Sequence, residues 1–392
     1  MRKVLLATLF AAMLVSPALA QTVKIGLIMP YSGQFADTAS QMDNAIKLYV
    51  KQHGDTVAGK KIEFIRKDTG GIAPDVAKRL AQELVVRDKV DIIGGLILTP
   101  NALAVGDISA EAKKFTVIMN AATSIITEKS PYMTRTSVTT PMLNQTLGTW
   151  AATKGGIKKV FTMVSDYGPG HDGEGAFHLG FKEGGGEIVG AVRFPVANPD
   201  FSAFVQRAKD SSPDAIYIWI PGGAQPAAVA KALLERGIDM GKTKVIGQDV
   251  IADDSVLKSL GPQAAGIVSV TMYDYNRDTP LAKSFLKGFQ EISGGRNPDI
   301  YAVGGYDGMH LIYESLKKTG GKTDGDALIA AAKGMKWESP RGPMSIDPET
   351  RDVVEDMHIM RVDLVDGKPK NVEFDTVKEV KDPVKERMKK KQ

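Results

Sequence analysis

The sequence predicts an α/β fold with parallel central sheets, and three observations predict it. Short apolar runs alternate with stretches of helical spacing from Val23 onward, an alternation that needs a parallel sheet covered by helices on both faces. The alternation runs through twice, with a proline-flanked extended segment, Tyr132 to Thr140, between the two series. The chain has 392 residues, 43% hydrophobic, enough for two or three domain-sized units.

The first 20 residues stand apart. Arg2 and Lys3, an apolar stretch from Val4 to Val15 and the small-residue exit Ala18-Leu19-Ala20 predict a secretory signal peptide cut before Gln21. The apolar run is shorter than the ~20 residues a membrane span needs, and no later stretch looks transmembrane, so the exported chain is not membrane-inserted. There is no cysteine, hence no disulfide, no thiolate site and no anchor for a lipid after the cut. A soluble, monomeric, periplasmic protein is the expectation. Formal net charge is +4, and two of those charges are Arg2 and Lys3, so nucleic acid is not the expected partner.

In the first series, Val23 to Met29 reads as a strand, Asp43 to Val50 as helical, Lys61 to Arg66 as a strand and Val76 to Val86 as helical. The stretch Val90 to Thr127 then holds two strand-to-helix turns. Asp91-Ile92-Ile93-Gly94-Gly95 is stopped by its glycines, and Thr99-Pro100-Asn101 starts a helix with proline in the first turn. Thr116 to Met119 is the next run, followed by Asn120-Ala121-Ala122-Thr123-Ser124. Neighbouring parallel strands put both loops on one sheet edge, where open α/β domains bind ligands.

The second series has strands at Lys159 to Val164, Ile188 to Phe194, Ala215 to Trp219 and Lys244 to Ile246. Its helices are Gly173 to Glu183, Phe201 to Lys209 and Ala227 to Arg236. A second extended run, Gly266 to Met272, leads into helices at Leu281 to Ile292, Tyr301 to Leu316 and Asp326 to Lys333. Asp366-Gly367 between His358 to Val365 and Lys370 to Phe374 is a hairpin signal. Lys381 to Gln392 is mostly charged and expected to fray.

Catalytic signatures are missing from this pattern: no serine elbow, no phosphate loop, no His-Glu-x-x-His. No cofactor or metal is expected, and the five histidines lack an accompanying ligand cluster. The stretch Gly168 to Gly175 lies between a strand and a helix without the dinucleotide spacing; a tight loop facing a cleft fits it.

Taken together, Val23 to Gly33, Ile92-Ile93-Gly94-Gly95, Asn120-Ala121-Ala122-Thr123, Ser165-Asp166-Tyr167-Gly168 and Asp200-Phe201-Ser202 resemble, in order and spacing, one family. It is the periplasmic solute-binding proteins of ABC importers, in the branched-chain amino acid branch. The resemblance implies two Rossmann-like lobes with parallel central sheets joined by a three-strand hinge, the type I periplasmic-binding fold. It implies lobe 1 from residues 21–136 and 270–350, lobe 2 from 137–269 and 351–376, and a charged tail at 377–392. It also implies no enzyme activity, capture of a small carboxylate-bearing solute between closing lobes, and delivery to a membrane permease. A sensor of the same fold feeding a signalling receptor is the alternative.

The resemblance also assigns roles. Ala121, Ala122 and Thr123 match the loop holding the ligand's anionic end, while Leu98 stands where the family has a serine, with Thr99 beside it. Thr99 could take the serine's place after a one-residue shift, or else be a helix cap. Asp249 matches an acid that pairs with a ligand ammonium, or else caps the next turn. Ala224 stands where amino-acid binders often carry an aromatic. Phe35, Tyr167 and Tyr301 are candidate aromatic walls, with core packing the equal alternative; such walls suit an aromatic carboxylate as well as an aliphatic amino acid.

Overall fold

The structure is a computed structural model that describes residues 22–390; the signal-peptide expectation lies outside the described residues. The first series forms β1 (Thr22–Met29), α1 (Ala36–His53), β2 (Thr56–Val57), β3 (Lys60–Asp68), α2 (Pro74–Val86), β4 (Ile92–Gly95), α3 (Thr99–Glu111), β5 (Thr116–Ile118) and β6 (Met133–Arg135). They build a sheet in the order β2-β3-β1-β4-β5-β6, parallel except for the short edge strand β2. β4, β5 and β6 are buried throughout, as strands covered on both faces must be, which is why Ile92-Ile93 and Val117-Ile118 read as apolar runs, while β6 buries the polar Thr134 and Arg135.

The second series forms α4 (Thr140–Thr153), β7 (Lys159–Ser165), α5 (Gly168–Glu183), β8 (Glu187–Phe194), α6 (Phe201–Asp210), β9 (Ala215–Trp219), α7 (Gln225–Glu235), β10 (Lys244–Gln248), α8 (Asp254–Leu260) and β11 (Val268–Thr271). The chain then returns to the first sheet through α9 (Pro280–Ser293), α10 (Ile300–Lys318) and α11 (Gly325–Ala332). α10 lies so close to β5 that a Cβ on Gly304 would sit 2.2 Å from Met119 O. Last come β12 (Lys336–Ser339), β13 (Gly342–Ile346), β14 (Val353–Val365), β15 (Lys368–Val380) and α12 (Pro383–Lys389).

The second sheet runs β12-β13-β14-β11-β10-β9-β7-β8, with β15 on β14. Its β8-β7-β9-β10-β11 part is parallel and its C-terminal part antiparallel. The β12–β13 hairpin hydrogen-bonds to the start of β14 but packs on first-lobe α10. There Trp337 Nε1 donates to Asp307 Oδ1 at 3.1 Å and Ser339 Oγ to Asp307 Oδ2 at 2.8 Å. The buried Arg341 in its turn gathers all three crossings between the lobes. It donates to Thr136 O and Met272 Sδ, ion-pairs with Asp307 at 3.0 Å and lies 3.1 Å from the Glu355 carboxyl.

Three segments differ from expectation. Tyr132 to Thr140 is not one extended crossing: Met133–Arg135 completes the first sheet and Thr140 already begins a helix, capped by Thr139 Oγ1, which accepts from Met142 N. Gly168 to Gly175 is the first half of α5, not a loop. Its glycines permit close packing, since a Cβ on Gly170 would sit 1.9 Å from Ser165 O and one on Gly173 would sit 2.6 Å from the Trp219 indole. The tail is helical over Pro383–Lys389. Asp382 caps α12, and Lys385 is buried against Asp352 Oδ2 at 2.7 Å.

Candidate functional site

The C-terminal ends of both sheets face each other, and the loops after their strands enclose a cavity of ≈ 70 Å³, at the edge where open α/β sheets bind ligands. The first lobe contributes Ile97, Leu98 and Thr99 after β4, Asn120 and Ala122 after β5, and Ile300 and Tyr301 at the start of α10. The crossing after β6 adds Ser137, Val138 and Thr140. The second lobe contributes Tyr167, Trp219, Pro221, Gln248 and Asp249, and Met272 comes from the second crossing. None of the lining residues is Lys, Arg or His.

One side of this cavity is built to give hydrogen bonds rather than to take them. α3 begins here, and first-turn N–H groups have no partner within a helix and carry its positive end; at the start of α4, by contrast, Met142 N is already bonded to Thr139 Oγ1. Every carbonyl of the 121–123 loop is engaged elsewhere. Arg135 Nη1 donates to Ala121 O at 3.0 Å and Nη2 to Thr123 O at 2.9 Å, while Thr140 N donates to Ala122 O at 2.7 Å. Arg135 itself is fully buried and paired with Asp352 at 3.0 Å. The loop's acceptors are thus turned away from the cavity, which the loop reaches at Ala122. Ser137 Oγ and Thr140 Oγ1 add two hydroxyls, 1% and 0% exposed as residues, that have no hydrogen-bond partner. Leaving such a group unpaired costs ~1–3 kcal/mol, which a ligand acceptor would recover.

The walls are aromatic and aliphatic. Tyr167 and Trp219 lie 5.7 Å apart at 55°, and Trp219 Nε1 is buried without a partner. Tyr301 spans the cleft, its hydroxyl donating to Pro221 O at 3.0 Å, so the lobes are in contact. At the far end Asp249 accepts from Val250 N at 2.9 Å and from Thr271 Oγ1 at 3.1 Å. Burial pushes its carboxyl up to about 7, because no cation faces it to favour the charged form.

Of the residues singled out in the sequence, Leu98, Thr99, Ala122, Tyr167, Asp249 and Tyr301 line this cavity. Thr99 stands at the first position of α3, one past the N-cap position, which Leu98 occupies without a side-chain cap bond. Ala121 is buried behind the wall, its N–H spent on Leu96 O. Thr123 turns a buried, unpaired hydroxyl toward Asp172 rather than the cavity. Phe35 is a core residue beneath Gly223, whose added Cβ would meet the Phe35 ring at 3.2 Å. Ala224 is exposed at the N-cap of α7 and opens no wall, because positive φ at Gly222 and Gly223 carries the chain across the cleft before it. Sequence reasoning missed Ser137, Thr140, Trp219, Gln248 and Met272; Thr139-Thr140-Pro141 is a helix-start signal that could have marked Thr140.

The family model described as periplasmic binding protein matches residues 22–369. The chain belongs to this family. Among its relatives is the Leu/Ile/Val-binding protein homolog 6 of Brucella melitensis, 38% identical over 388 residues, covering 98% of this chain and 99% of that one. Among solved structures, the ABC-transporter solute-binding protein from Rhodopseudomonas palustris BisB5 in complex with 3,4-dihydroxybenzoic acid is 52% identical, with TM-score 0.89 over 93% of this chain and 99% of that one. The solute-binding protein from Rhodopseudomonas palustris HaA2 in complex with p-hydroxybenzoic acid is 40% identical with TM-score 0.88, covering 93% of this chain and 99% of that one. The fold is therefore the type I periplasmic-binding fold and the role is solute binding. The family is one of solute-binding proteins, not enzymes, and works with a membrane permease. Among the described residues no helix is long and apolar enough to cross a membrane.

Proposed function

We propose that this chain captures a small aromatic carboxylate in the periplasm, after removal of residues 1–20, and delivers it as a monomer to the permease of an ABC importer. The observation that carries this reading is the polarity of the cavity: unpaired donors at Ser137, Thr140 and Trp219, aromatic and aliphatic walls, and no cation. A carboxylate fits the α3 helix start and the unpaired hydroxyls of Ser137 and Thr140, and a flat ring fits between Tyr167, Trp219 and Tyr301. The cavity of ≈ 70 Å³ is smaller than the ~150 Å³ apolar cavity that takes benzene, so a ring enters an opened form and the lobes close around it. The moving units are 22–136 with 270–350 and 137–269 with 351–376, the segment 377–390 following.

An aliphatic amino acid fits less well. Its ammonium needs an ionised acceptor, whereas both Asp249 oxygens are already bonded and the carboxyl is pushed up to about 7. The likeness to the hydroxybenzoate complexes supports the same choice. Calorimetry of the purified chain with 3,4-dihydroxybenzoate, 4-hydroxybenzoate, benzoate and leucine tests it. Binding of one or more of the aromatic acids with weaker or no binding of leucine is expected; tight leucine binding with no heat from the acids sinks the proposal.

A further inference from the structure

Beyond Tyr301 and Asp249 lies a second, larger cavity of ≈ 410 Å³, walled by both lobes. Five aspartates line it: Asp37 and Asp299 from the first lobe, and Asp249, Asp253 and Asp254 from the second. Arg296 is the one cation among its lining residues, and it is paired with Asp37 at 2.7 Å. The other four acids meet neutral donors. Asp299 caps α10 and Asp253 caps α8, Asp254 accepts from the Tyr275 hydroxyl at 3.2 Å and from Asn297 Nδ2 at 3.0 Å, and Asp249 is bonded as described.

Two further side chains leave oxygens unpaired at this wall, each more than nine-tenths buried. Gln41, 4% exposed, spends its amide N–H on Asn297 O at 3.1 Å and leaves Oε1 without a donor. Tyr273, 6% exposed, leaves its hydroxyl without a partner. The cavity thus gathers more acidic groups than cations and has surplus acceptor capacity, while buried acceptors call for donors. Among the described residues the carboxylates are not gathered into a group that could hold a metal ion; they are spread around a volume of organic size.

We propose that this outer cavity is a second binding site, for a small organic cation bearing an ammonium or guanidinium group. Such a cation brings several N–H donors and opposite charge to the dispersed acids, and charge-assisted hydrogen bonds are the strong kind. Because both lobes line the cavity, an occupant favours the closed arrangement.

The test is calorimetry of the purified chain with 1,4-diaminobutane and methylguanidinium at pH 8, with 1,4-butanediol as the uncharged control. Saturable binding of at least one cation and none of the diol is expected. The affinity falls about tenfold or more in an Asp253→Asn/Asp254→Asn variant, as loss of charge-assisted hydrogen bonds dictates. Asparagine keeps a capping oxygen at position 253, and an unchanged melting temperature checks the fold. Should that variant not fold, Tyr273→Phe carries the test alone by removing only an unpaired oxygen. Heats that do not saturate, or affinity unchanged in the folded variant, overturn the proposal. Either result leaves the aromatic-acid reading standing, since that reading uses neither Asp253 nor Asp254.

Discussion

Thr140 buries a hydroxyl at the ligand cavity with nothing to bond, a cost the empty protein bears for the sake of an occupant. Valine has the same shape without the oxygen, and removing an unpaired buried polar group for an isosteric apolar one is neutral or stabilising. Thr140→Val is therefore expected to raise the stability of the empty protein by up to ~1 kcal/mol while weakening aromatic-acid binding about tenfold. Chemical denaturation and calorimetry read the two effects separately. A variant that lost stability without losing affinity would show the hydroxyl to be structural. Arg135 acts at one remove, by holding the Ala121 and Thr123 carbonyls off the cavity.

At the scale of elements, the loop between β9 and α7 is where the second lobe meets the first. Gly223 has φ of 68°, and a Cβ there would stand 2.6 Å from Gln34 O across the cleft. Gly223→Ala then costs ~1–3 kcal/mol in backbone strain and props the lobes apart. Small-angle scattering with saturating ligand is expected to show a more open molecule than the native chain, and an unchanged profile would remove the glycine from closure. α12 gives a second contrast. Lys385 is 7% exposed against a 1% exposed Asp352, whereas Lys389 is 38% exposed against a 72% exposed Glu349. Lys385→Met should cost at least ~2 kcal/mol and Lys389→Met no more than ~1 kcal/mol, both by denaturant unfolding.

These two elements also show how far the sequence could be followed. The stretch Val90 to Thr127 was legible because glycines stop its short apolar runs and the helix start lies beside them, so β4, α3 and β5 fall where the pattern puts them. α4 was hidden because Pro141 reads as a break, although proline early in a helix after a capping threonine is equally a beginning. α12 was hidden because a lysine-rich tail looks solvated; nothing local announces that Lys385 will find Asp352. In the site, residues on loops after strands were foreseeable from the edge rule. Ser137 and Met272 were not, since a crossing segment turns a given side chain into the cavity only once both sheets are in place.

For the whole molecule, the distribution of buried acid sets a pH dependence. Glu355 is buried and Asp249 and Asp299 half-buried, and burial pushes their carboxyls up to about 8, 7 and 8 respectively. Unfolded, each would titrate near ~4, so between those limits the folded chain holds the extra protons. Their contribution to stability is complete below the ordinary carboxylate range and is lost as pH rises through about 7 to 8. Groups shifted the other way do not oppose this at alkaline pH. Asp88, lowered to about 2 by Arg87 and Lys67, already gives its full contribution above the carboxylate range. His178, His310 and His358, lowered chiefly by burial, lose theirs only as pH falls below the ordinary histidine value. The melting temperature is therefore expected to fall between about pH 7 and about pH 8, above the histidine range, and to level off at higher pH once these acids are ionised in the folded chain as well. Glu355→Gln should flatten the slope, because it takes away the acid that sits beside Arg341 where the three crossings meet. A level profile in the native chain would mean that these acids are ionised throughout, and the hinge and outer cavity would then carry more negative charge at neutral pH than their burial allows.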